Sequence, residues 1–241
     1  MLEDIKPHIA ELRNRLIKII AALFITFFVC FAFWEPILSW VVKPLNSALA
    51  EHGEVIAYKM GEQFFTAVLV SFFAALLISL PVIFYQIWAF VAPGLYANEK
   101  RFVVPFVMAT TIMFILGALF AYYIVFPYGF SYLVNFGETL VTSMISIGEY
   151  LSFFVKLMFG FGVSFELPVV CFFLAKIGLI DDESLKGFFR YAIVLIFIVA
   201  AILTPPDVLT QFLMAIPMIL LYAVSILIVK AVNPANKEGK S

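Results

Sequence analysis

VKLMFGFGVSFELPVVCFFLAK, residues 155–176, is a long apolar segment carrying one acid, Glu166, two residues before Pro168. An acidic side chain at the centre of a membrane helix costs roughly 2.5–3.5 kcal/mol on insertion scales. Such a group is kept only if it is neutralised, solvated or used. Lys156 lies near one end of the segment, where its long side chain can snorkel to the interface. Ten residues separate Lys156 from Glu166, about 15 Å along a helix, so the two are not a direct ion pair. Glu166 is therefore either a structural hydrogen-bond acceptor or part of a polar path through a membrane protein.

The composition agrees. Hydrophobic residues make up 64% of the 241 and charged ones 13%, against about 45–50% and about 25% in soluble domains. The length suits several spanning helices with short loops and leaves no room for a separate catalytic domain. Cys30 and Cys171 lie in apolar runs and read as small core residues; neither sits near a histidine, so no metal or cofactor is expected. The N-terminus does not read as a cleavable signal peptide, because its first apolar run is long and no A-x-A site follows.

A span needs roughly 20 apolar residues. Six candidates follow, near 16–34, 66–85, 102–126, 150–176, 191–203 and 208–229. Pro81 bends or ends the second. The fifth is short, closed by Pro205 and Pro206, and fits where the bilayer thins or the protein holds water. The expected fold is an all-α polytopic membrane protein of six transmembrane helices, forming one domain over 1–241. With six spans both termini share one side. That side holds Lys6, Arg13, Arg15, Lys18, Lys100, Arg101, Lys176, Lys186, Arg190, Lys230, Lys237 and Lys240; the other holds only Lys43 and Lys59. The positive-inside rule makes the first side cytoplasmic. Within the first outer loop, Leu38, Val41, Val42, Leu45 and Leu49 have the spacing of an amphipathic helix that starts at Pro36. The third loop, 127–149, carries no cation and is read as part of a cap with the first.

Catalytic motifs are missing: there is no phosphate-binding loop, no HExxH and no dinucleotide fingerprint. His8 and His52 lie outside the apolar spans, so an intramembrane protease would lack its base. The chain is not expected to be an enzyme. On the first helix, Ile5, Ile9, Leu12 and Leu16 form a stripe, with His8, Glu11 and Arg15 on its flank. A Glu11–Arg15 pair at i, i+4 would account for this flank structurally. Pro93-Gly94 forces a turn, and Asn98 can cap the next helix with Glu99 in its first turn. Thr204, Asp207, Thr210 and Gln211 cluster before the last span. Helix capping explains part of that cluster, and a water-holding recess explains Gln211 better.

Five stretches then appear in order: HIAELRNR (8–15), YQIWAFVAPGLYANEKR (85–101), FAYYIVFP (120–127), FGVSFELP (161–168) and LTPPDVLTQ (203–211). Together they resemble TatC, the large polytopic subunit of the twin-arginine protein translocase, over nearly the whole chain. The resemblance implies a concave, glove-like bundle with short fifth and sixth helices, both termini cytoplasmic, in the inner membrane. It implies a receptor for signal peptides bearing two consecutive arginines, serving export of folded proteins powered by the proton-motive force. By match of motif, Glu99 and Glu11 would bind the arginine pair and Glu166 would be the intramembrane acid. Asp207, with Thr204 and Gln211, would form the outer turn before the last helix. The implied partners are the single-span subunits TatA and TatB, or a TatA-like protein alone, at the fifth and sixth helices, with further copies of the chain itself; no nucleic acid is expected. Two arginines present rigid, always-charged forks that carboxylates take by paired hydrogen bonds and that lysine does not reproduce. The rival reading is a proton-coupled small-molecule or ion transporter using Glu166, although no matching pair of broken helices supports it.

Overall fold

The structure, a computed structural model, describes residues 2–49, 53–91, 103–135 and 143–233. Its element order is α1 (Leu2–Ala32), α2 (Trp34–Val41), α3 (Lys43–Leu49), β1 (Gly53–Ile56), α4 (Glu62–Val91) and α5 (Val103–Phe120). A π-helical turn (Ala121–Val125), α6 (Phe126–Asn135), β2 (Ser143–Ser146), α7 (Ile147–Lys176), α8 (Asp182–Leu203) and α9 (Val208–Val232) follow. Among the described residues, six helical stretches are long and apolar enough to cross a membrane, as expected from hydropathy. A two-stranded sheet, β1–β2, joins the segment before α4 to the segment before α7; the sequence reading did not anticipate it.

The helices depart from the apolar boundaries for physical reasons. Pro81 lies inside α4 and does not end it. The third span runs beyond Phe126, through the π turn, into α6. α8 begins nine residues before the apolar stretch, because Asp181 caps it by accepting from the Ser184 amide at 2.7 Å. That bond also holds the Asp181 carboxyl below the usual carboxylate range. A capped polar first turn is stable in water, so hydropathy alone cannot see it.

The contacts divide into two compact units. In the first, Met1–Asn46, Val55–Ile112 and Ile145–Leu151, α1 packs along α4. Thr26 Oγ1 lies 2.8 Å from Ser79 Oγ across that seam, and Trp88 stacks on Phe106 at 4.9 Å. Val41 and Leu45 of the amphipathic stripe are buried, and α2 rests on α4. The buried Tyr150 donates to the Val41 carbonyl at 2.7 Å.

In the second unit, Ser47–Glu54, Met113–Met144 and Ser152–Ser241, α8 and α9 form a hairpin. Phe126 packs on Phe130 and Phe154. α5 and α7 approach closely because two glycines face the crossing. A Cβ on Gly117 would stand 2.5 Å from the Phe161 carbonyl oxygen, and one on Gly162 would stand 2.5 Å from the Phe114 ring. Small residues let membrane helices meet backbone to backbone. Both cysteines are buried and free.

Candidate functional site

The α1 stripe is turned outward. Ile9, Leu12 and Leu16 are exposed, whereas Glu11 and Arg15 are half-buried. This inverts the soluble pattern, as an apolar surrounding demands. Arg15 donates through Nη2 and Nε to Glu11 Oε1 at 2.5 and 3.0 Å, and through Nη1 to Gln86 Oε1 of α4 at 3.4 Å. The i, i+4 pair expected from sequence is therefore present. Both contacts to Glu11 fall on Oε1, leaving Oε2 free among the described residues. Gln86 was missed by the sequence reading; a buried amide near the end of an otherwise apolar helix is the signal that would have found it. Glu99 lies outside the described residues.

Glu166 sits one turn from the α5–α7 crossing. Both carboxyl oxygens are enclosed and accept no hydrogen bond of ordinary geometry, although the Phe114 backbone approaches. Pro168 lacks the amide that would bond the Ser164 carbonyl, and Ser164 Oγ donates to the Gly160 carbonyl at 2.6 Å.

The outer turn is locally satisfied. Asp207 caps α9, accepting from the Thr210 amide at 2.8 Å and from the Thr210 hydroxyl. Thr204 donates to the Ala200 carbonyl at 2.9 Å. Gln211 donates to the Phe197 carbonyl of α8 at 3.1 Å, which ties the hairpin together. Pro205 and Pro206 end α8, and the Asp207 cap starts α9.

A further acid, Glu62, escaped sequence reading because it precedes an apolar run like any first-turn carboxylate. It accepts from the amides of Tyr58 at 2.6 Å, Lys59 at 3.1 Å and Gly148 at 3.0 Å, and from the Ser146 hydroxyl. Four donors on one carboxylate clasp the segment before α4 to the start of α7.

Comparison with known proteins gives one consistent result. Residues 7–217 match the family described as Sec-independent protein translocase protein (TatC). The protein of that name from Campylobacter jejuni is 52% identical over 245 residues, covering 100% of this chain and 99% of the relative. Its counterpart from Helicobacter pylori is 49% identical over 241 residues, covering 100% and 93%. A crystal structure of the twin arginine translocase receptor TatC superposes with a TM-score of 0.85 at 40% identity, covering 93% of this chain and 99% of that one.

Proposed function

This chain belongs to the TatC family, a multi-pass membrane component of the twin-arginine protein translocase, and from that premise we propose that it is the receptor subunit for arginine-pair signal peptides. In this reading Glu99 and Glu11 take the two guanidinium groups at the cytoplasmic face. Export of the folded cargo is organised around the chain and driven by the proton-motive force, with single-span subunits packed at α8 and α9. The chain does no covalent chemistry; it binds and positions. Its N- and C-termini lie in the cytoplasm, as the one-sided distribution of lysine and arginine favours.

The observation that carries the reading is the Glu11 carboxylate. It already holds the Arg15 guanidinium through Oε1, and among the described residues its second oxygen takes no part in that contact. A carboxylate that takes a guanidinium by charge-assisted bonds, at the place the family motif assigns to it, supports the reading. A rival small-molecule transporter would need no guanidinium site.

The test is binding of a labelled signal peptide to membrane vesicles containing the full chain. Inverted vesicles are expected to bind a peptide with two arginines at least tenfold more tightly than one with two lysines, because lysine lacks the fork. Right-side-out vesicles are expected to bind neither. Equal affinity for the two peptides, or binding from the outer side alone, would overturn the proposal.

Glu166 belongs, in this proposal, to the transport path. Its unpaired burial costs stability, so a structural role would be lost, not gained, on its removal. Glu166→Leu is expected to raise the melting temperature by several degrees while export falls to background. Glu166→Gln, which keeps shape and hydrogen bonding, is expected to retain an intermediate rate. Full export by Glu166→Leu would exclude the role.

A further inference from the structure

We propose that the lipid-facing groove between α7, α8 and α9 is a phospholipid site, in which one acyl chain fills the groove and the headgroup phosphate is taken by Lys156. On α7 the residues 156, 159, 163, 167 and 170 recur at helical spacing and share one face. Lys156, Phe159, Val163 and Val170 are exposed along it. Against this face the exposed Val199 and Ile202 of α8, with Met218 of α9, enclose a groove of about 480 Å³. Its lining is apolar except for Ser164, whose hydroxyl is already bonded to the Gly160 carbonyl. Gly160 forms part of the floor, since a Cβ there would stand 2.7 Å from Leu203 and 2.8 Å from Met214.

Depth supplies the headgroup. Lys176 follows Lys156 by twenty positions, about 30 Å of helix, which equals the hydrocarbon thickness of a bilayer. With Lys176 at one boundary, Lys156 is at the other, level with lipid phosphates. The leaflet concerned is the outer one in the orientation proposed above; the site itself does not depend on that orientation. Among the described residues Lys156 has no ion pair or hydrogen bond. An apolar groove in hydrocarbon is filled by a chain or by another helix. A helix would need its own anion to meet the ammonium, whereas a phospholipid brings phosphate at the correct height and an acyl chain directly below it. A net negative headgroup fits better than a zwitterionic one, whose own ammonium competes with Lys156.

The test uses the full chain in phosphatidylcholine vesicles doped with phosphatidylglycerol carrying a photoreactive group at mid-chain. After irradiation, label is expected to concentrate on Val163 and Val199. Lys156→Gln is expected to lower it about fivefold, in line with one lost cation at an anionic lipid surface, while Lys156→Arg retains it. Val199→Trp, which fills the groove, is expected to abolish it with Lys156 intact. Should Val199→Trp fail to fold, the Lys156 pair decides alone, because that side chain is exposed. Equal labelling of Lys156→Gln and the parent chain overturns the proposal, as does label spread evenly over all lipid-facing helices. Loss of label when a single-span partner is co-reconstituted assigns the groove to that partner instead. None of these readouts involves an arginine peptide or export, so failure here leaves the receptor reading untouched.

Discussion

Replacing Glu99 with alanine is expected to weaken binding of an arginine-pair peptide at least tenfold. A hydrogen bond to a charged group contributes about 1.5–3 kcal/mol, and a bidentate guanidinium contact makes two. Glu11→Ala is expected to cost less, about threefold, since Arg15 already occupies Oε1 and one exposed-side contact contributes under about 1 kcal/mol. The measurement is fluorescence anisotropy of a labelled signal peptide against each solubilised variant, with a lysine-pair peptide as control. Unchanged affinity in Glu99→Ala would remove Glu99 from the site. A larger loss in Glu11→Ala than in Glu99→Ala would reverse the order of the two carboxylates.

Gly117→Val is expected to lower stability by about 2–3 kcal/mol, at the upper end for overpacking. The added Cβ alone would stand 2.5 Å from the Phe161 carbonyl oxygen and 3.0 Å from the Phe165 Cβ. Both belong to α7 and neither can swing aside as a flexible side-chain tip could, so the helices must separate. Gly187→Ala is the matched control. Nothing lies within 4 Å of a Cβ there, and alanine is the better helix former by about 1 kcal/mol. Melting in detergent is expected to show a large drop for the first and no drop, or a small rise, for the second. A parent-like melting temperature for Gly117→Val would show that α5 and α7 do not pack through this glycine.

What could be read in advance follows from what repeats along the chain. Apolar length located the six helices, and helical spacing located the Glu11–Arg15 pair. Single polar residues could be listed but their partners could not. The α8 carbonyl that Gln211 bonds lies 14 residues away, and no local pattern marks it. Glu62 was overlooked because its donors come from two separate loops. The start of α8 was misplaced because hydropathy marks where a helix enters oil, while the Asp181 cap marks where it begins. The π turn at Ala121–Val125 left no trace in residue type. It is a feature of how α5 hands over to α6, and only coordinates carry it.

The unbroken course of α7 through Pro168 has a mechanical consequence. With Lys156 and Lys176 at the two edges of the oil layer, as proposed above, the helix has a fixed gauge. In a thinner bilayer it accommodates by leaning, in a thicker one by drawing lipid inward around it, each at a fraction of a kcal/mol per ångström. Glu166 lies ten residues from both lysines, so either adjustment leaves it at the midplane. The acid is thereby held at the depth where a charge is most costly, whatever the thickness of the membrane around it.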